Sequence, residues 1–129
     1  MNRLLITNAN IIPMTSENVV LEEMYIFVSK GKIREIGQMK DISGGSQSDY
    51  TIDLRKKYLL PGLIDLHVHV TDEAVTEKAR DRIITDDSWA TITERASRNL
   101  LEALMSGITS VYDCGAPYEY SLSIRKSIQ

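Results

Sequence analysis

The stretch "LLPGLIDLHVHV", residues 59–70, decides how this chain is read. It holds the only two histidines of the 129 residues, His67 and His69, one residue apart, with Asp65 two residues before them. A Pro-Gly pair, Pro61-Gly62, opens the run. In an extended strand, residues two apart share a face. Asp65, His67 and His69 therefore line one face of a strand expected over residues 63–70, and Ile64, Leu66, Val68 and Val70 line the other. The second face suits packing against a helix. The first sets two imidazoles in a row, close enough to reach one metal ion, and neutral imidazole ligates zinc, iron, nickel and copper. Spacing alone leaves a plainer reading open, that of two histidines on a surface strand. The apolar neighbours favour burial on both faces, and a buried imidazole needs a partner.

Working outward, the segment after Pro61 alternates strand and helix. Asp86, Asp87 and Ser88 are N-cap candidates for an amphipathic helix. Trp89, Ile92, Ala96, Leu100, Ala103 and Leu104 recur at its spacing, and Gly107 is placed to end it. "ITSVY", residues 108–112, is β-branched and aromatic, a second strand. Strand, helix, strand is a βαβ unit with parallel strands. A short helix is expected around 73–83 and another in the tail from residue 118.

Before Pro61 the chain is mostly β. "RLLITNANII", residues 3–12, is a strand with a turn or bulge near Asn8 to Asn10. Residues 25–28 and 32–36 form a hairpin about a turn that Gly31 suits. "DISGGSQSDY", residues 41–50, is a polar loop, and residues 50–54 are a further strand. The expected organisation is residues 1–58 as a small sheet or β-sandwich, or half of one, and residues 59–129 as the start of a second, α/β domain. Two parallel strands and one helix leave much apolar surface uncovered, so the expectation is either the front of a longer chain or a chain that folds by borrowing surface from a partner. Open sheet edges predict self-association as a homo-oligomer.

Composition excludes several classes. With 43% hydrophobic residues and a net charge of −3, this is a globular composition without a basic cluster, so neither nucleic acid nor an anionic membrane is an expected partner. No stretch approaches the roughly 18 apolar residues of a membrane helix. One cysteine, Cys114, makes no internal disulfide. That fits a reducing, cytoplasmic setting. Cys114 itself is expected to be a packed small residue rather than a reactive thiol.

The Pro-Gly turn, the apolar pair, Asp65 and His67-x-His69 together resemble the signature that opens the catalytic barrel of the amidohydrolase superfamily. "GKIREIG", residues 31–37, looks like part of that family's N-terminal sandwich, and "TIDLRKKYLLPG", residues 51–62, like its run into the barrel. "ASRNLLEALMSGITSVYDCG", residues 96–115, is similar to the first helix and second strand of the imidazolonepropionase-like and prolidase-like branch.

The resemblance implies a metal-dependent hydrolase of C–N bonds (amide, cyclic amide or dipeptide) on a (β/α)8 TIM-like barrel, with a small-molecule substrate. His67 and His69 are expected to bind one or two divalent ions, zinc first. Asp65 and Asp113 are expected in supporting roles, outside the ligand set. The other ligands and the general-base aspartate belong to strands beyond this sequence, which supplies no catalytic residue of its own. These residues alone are then expected to be inactive. The alternative is a non-catalytic binding or assembly module. One departure stands out: Lys56 occupies a turn position where the family usually has glycine. Lysine disfavours a left-handed conformation, so this turn is expected to differ.

Overall fold

The computed structural model describes residues 3–42, 48–72, 87–116 and 119–128. The short helix expected around residues 73–83 lies outside them. The chain is mixed α/β and divides into two compact units, Met1–Pro61 and Gly62–Gln129.

The first unit is a five-stranded sheet built on β1 (Arg3–Ile11). Leu5, Thr7, Ala9 and Ile11 are buried while their neighbours are half-buried, the period of two expected of a strand with one covered face. β2 (Leu21–Ser29) pairs antiparallel with β1, and β3 (Lys32–Gln38) antiparallel with β2. The β2–β3 turn is Lys30-Gly31, both left-handed (φ 55° and 68°), as a two-residue hairpin requires. The other edge of β1 carries β4 (Tyr50–Asp53) and then β5 (Tyr58–Leu59), both parallel to it. Ala9, Ile11, Met24 and Ile26 form the core, with Ile6, Val28, Leu54 and Leu59 against it. Burying one such aliphatic side chain contributes roughly 1.5–3 kcal/mol.

The bulge expected at Asn8 to Asn10 is present: pairing with β2 shifts register on both sides of Ala9, and Asn8 is left-handed at φ 52°. It is matched across the edge by the turn between β4 and β5, and here the expectation at Lys56 is corrected. Lys56 adopts the left-handed conformation (φ 65°), as does Arg55 (φ 49°). Neighbours hold it there. The Lys56 N–H donates to the Asn8 carbonyl at 2.7 Å, its carbonyl accepts from Asn10 Nδ2 at 2.9 Å, and its Nζ meets Glu23 at 3.0 Å.

The second unit begins with β6 (Leu63–Val68), then α1 (Trp89–Met105), β7 (Ile108–Asp113) and α2 (Tyr120–Ser127). β6 and β7 are parallel, paired from Leu63–Ile108 to Val68–Asp113 with register shifts between Leu63 and Ile64 and between Asp65 and Val68. Ser88 is the N-cap of α1, its hydroxyl accepting from the Thr91 N–H at 3.2 Å. At the other end Ser106 is the C-cap, one residue before the expected Gly107, which follows it in a left-handed conformation (φ 89°). Val70, Ala96 and Ile124 form the core, with Val68, Leu100 and Val111 against it. Trp89 stacks on Tyr120, ring centroids 4.7 Å apart, which joins the start of α1 to α2.

Two expectations for β6 are corrected. The strand ends at Val68, so His69 lies just past it. Val68 and Val70 pack into the core, but Ile64 and Leu66 are 66% and 73% exposed. The core formed with Ala96, Leu100 and Ile124 reaches only the C-terminal part of β6.

Candidate functional site

The site is the C-terminal end of β6 with the segment that follows β7. Gly62 shows why the strand starts as it does. A Cβ there would fall 2.7 Å from the Cβ of Thr109 and closer still to the rest of that side chain. Only glycine lets the entry to β6 lie against β7 at this distance. The Leu63 N–H donates to the Gly107 carbonyl at 2.9 Å at one end, and the Cys114 N–H to the Val68 carbonyl at 2.8 Å at the other.

The structure brings His67 and His69 together. Their ring centroids are 5.4 Å apart, edge to face at 67°. Both residues are exposed, which corrects the expectation of burial. No neighbouring element covers their side of β6 among the described residues. Asp65 lies on β6, and its Oδ1 accepts from the His67 N–H at 3.0 Å, tying the backbone at the first histidine. Asp113 ends β7 opposite Val68. Its Oδ1 accepts from the Gly115 N–H at 3.2 Å, and its Oδ2 accepts from the Ser121 hydroxyl. Cys114 is exposed rather than packed.

His69 Nδ1 lies 2.9 Å from the Gly115 carbonyl oxygen. A carbonyl only accepts, so the proton of this bond sits on Nδ1. In the neutral ring Nε2 then carries the free lone pair. This is the arrangement in which a histidine is set up as a ligand, its other nitrogen bound to a backbone carbonyl. Among the described residues no group of three or more His, Cys, Asp or Glu comes together. Among the described residues the candidate donors here are the two imidazoles, of a kind that suits a divalent ion such as zinc but too few to close its shell.

Sequence reading missed the residues that hold the turn after His69. Arg95 and Asn99, four apart on α1, face this turn beside Ile92 and Ala96. Arg95 Nη1 donates to the Thr71 carbonyl at 3.0 Å, while its Nη2 meets Asp87 at 2.7 Å. Asn99 Nδ2 donates to the carbonyls of Val70 and Asp72, at 2.9 and 2.8 Å. The signal was available as two polar residues set into the apolar stripe of an amphipathic helix. Gly115 and Ser121 carried no such signal.

The sequence model of the amidohydrolase family matches residues 58–129. A curated relative, the 5-methylthioadenosine/S-adenosylhomocysteine deaminase of Bacillus cereus (strain 03BB102), is 29% identical over 122 residues, covering 85% of this chain and 28% of its own. Among solved structures, a Xaa-Pro dipeptidase with bound methionine in its active site superposes with a TM-score of 0.81 at 26% identity, over 98% of this chain and 30% of its own. The ochratoxinase of A. niger does so with a TM-score of 0.77 at 25% identity, over 98% and 28%. The chain thus spans less than a third of the length of each of these three proteins.

Proposed function

The chain belongs to the amidohydrolase family, and from that premise we propose that His67 and His69 supply two ligands to a divalent ion, zinc first, in a hydrolase of C–N bonds. The observation that carries this is the His69 ring, whose Nδ1 is engaged by the Gly115 carbonyl and whose Nε2 is left free beside His67. In this reading β6, α1 and β7 are the first strand, helix and strand of a (β/α)8 barrel, residues 59–129. Residues 1–58 are part of a small β-sandwich. The imidazoles then sit at the C-terminal end of the first strand, where such barrels carry their active sites.

The ion, when bound, supplies Lewis acidity and activates water for attack on the carbon of the scissile C–N bond. The residues of this chain hold and orient it. Asp65 steadies the backbone of His67, and Asp113 acts from outside the ligand set. A catalytic zinc site keeps three protein ligands and an open position, so the two imidazoles here do not support turnover by themselves. The remaining ligands and the general base come from other barrel strands. The substrate is a small molecule, an amide, cyclic amide or dipeptide, and the setting is a cytoplasmic homo-oligomer. Among the described residues no helix is long and apolar enough to cross a membrane.

The curated relative favours a second reading within the same chemistry. It is named as a 5-methylthioadenosine/S-adenosylhomocysteine deaminase, and hydrolytic deamination also breaks a C–N bond. Both readings place the same demand on His67 and His69. Zinc titration by calorimetry tests it: one-to-one binding is expected for the chain and none for the His67→Ala/His69→Ala double variant. Equal binding by both would remove the site from these residues.

A further inference from the structure

The loop after β7 is tied on three sides. The Cys114 N–H is bonded to Val68 at the end of β6, and the Asp113 carboxylate receives both the Gly115 N–H and the Ser121 hydroxyl of α2. The free end of this arrangement is the Gly115 carbonyl, and it points at His69. A bond from Asp113 to the N–H two residues on is a common way to fix a turn. Here the turn has a target 46 residues away in sequence.

We propose that Asp113 is a positioning residue for His69: braced by Ser121, it fixes Gly115 so that the Gly115 carbonyl captures the Nδ1–H of His69 and leaves Nε2 as the ligand atom. The inference rests on the reading of His69 as a ligand only for what Nε2 binds. The control of the ring stands on hydrogen bonds alone. Which nitrogen carries the proton is set by the bond the other nitrogen makes or lacks. Without a fixed acceptor at Nδ1, the ring reverts to the Nε2–H form that a neutral histidine side chain favours in water, and the lone pair needed for a metal is lost from that side. Asp113 thus reaches the site without touching the ion or the substrate. Ser121 extends the control to α2, whose Ile124 shares the core with Val70, next in sequence to His69.

The test reads the tautomer directly. The chain has two histidines, so a two-bond 1H–15N correlation spectrum shows two imidazoles, with His67 as internal reference. Above the titration range of imidazole, His69 is expected in the Nδ1–H form. Asp113→Ala is expected to move it toward Nε2–H and leave His67 unmoved. Asp113→Asn, which keeps an oxygen to accept from Gly115, is expected to retain the original form. Ser121→Ala is expected to give a smaller shift in the direction of Asp113→Ala. With zinc alone as probe, Asp113→Ala is expected to bind about 10–100-fold more weakly. An unchanged His69 tautomer in folded Asp113→Ala overturns the proposal. Should that variant not fold, the same result in Ser121→Ala overturns it. If the unaltered chain binds no zinc, while its His69 tautomer still depends on Asp113, the metal reading fails and the positioning role stands.

Discussion

Gly62 and Lys56 show how differently one residue can matter on either side of the boundary between the units. Lys56 keeps a left-handed backbone that costs a non-glycine residue roughly 1–2 kcal/mol, and three polar contacts hold it there. Nothing comparable can rescue Gly62, where any Cβ meets Thr109. Gly62→Ala is expected to destabilise the second unit by about 1–3 kcal/mol through overpacking, read as a lower urea midpoint with unchanged slope. Combining it with Thr109→Ser, which removes one of the clashing carbons, should recover part of the loss. Full stability in Gly62→Ala would show that the strand entry tolerates the extra carbon. At this same scale the histidines were legible as a pair, but not which nitrogen of His69 is free, because the Gly115 carbonyl that decides it comes from far along the chain.

At the scale of elements, α1 does two jobs. Its apolar stripe packs Ala96 and Leu100 into the core, and its polar pair Arg95 and Asn99 captures the carbonyls of the turn after His69. Thr71 is fully buried, so its carbonyl has no water to turn to if Arg95 is lost. Arg95→Leu is expected to cost about 1–3 kcal/mol from that unpaired group, and amide exchange of residues 70–72 should speed up more than that of β7. Equal acceleration throughout the unit would argue against a local clamp. The helix start gives a smaller effect: Ser88→Ala removes the acceptor for the Thr91 N–H and is expected to lower stability by about 1 kcal/mol, with Ser88→Asp restoring most of it. The periodicity of α1 revealed its apolar residues. The partners of its polar ones depend on where the chain turns after β6, which periodicity does not encode.

At the scale of the whole molecule, polar ties between residues apart in sequence make the stability of the first unit depend on pH. Asp49 is held below its ordinary 3.8 by the Arg3 backbone N–H and then the Arg3 side chain. Asp53 is lowered first by the Asn8 side chain and then by the Arg55 N–H. Both carboxylates have depressed values in the folded state, so the stability they contribute is complete above 3.8 and is lost as pH falls through their folded values. Tyr25 runs the other way. Its hydrogen bond to Glu35, with burial and the Glu35 charge adding, raises the phenol above 10.0. Its contribution is complete below 10.0 and is lost as pH rises through the folded value. Thermal midpoints measured across pH should therefore fall below about pH 4 and above about pH 10. Asp53→Asn is expected to flatten the acid limb and Tyr25→Phe the alkaline one. An acid limb of the same depth in Asp49→Asn/Asp53→Asn would assign it to other groups.

What the sequence by itself determined are the features written in near neighbours. The hairpin turn at Lys30-Gly31, the caps and apolar stripe of α1, the Pro-Gly entry, and the His-x-His pair of the amidohydrolase family are all local patterns, and each has a local physical cause. Tertiary structure alone decided how far β6 is covered, the left-handed turn at Lys56, the Arg95–Asn99 hold on residues 70–72, and the contact of Gly115 with His69. Each depends on groups brought together from distant parts of the chain, where hydrogen-bond geometry and steric fit act between segments whose approach no short pattern specifies.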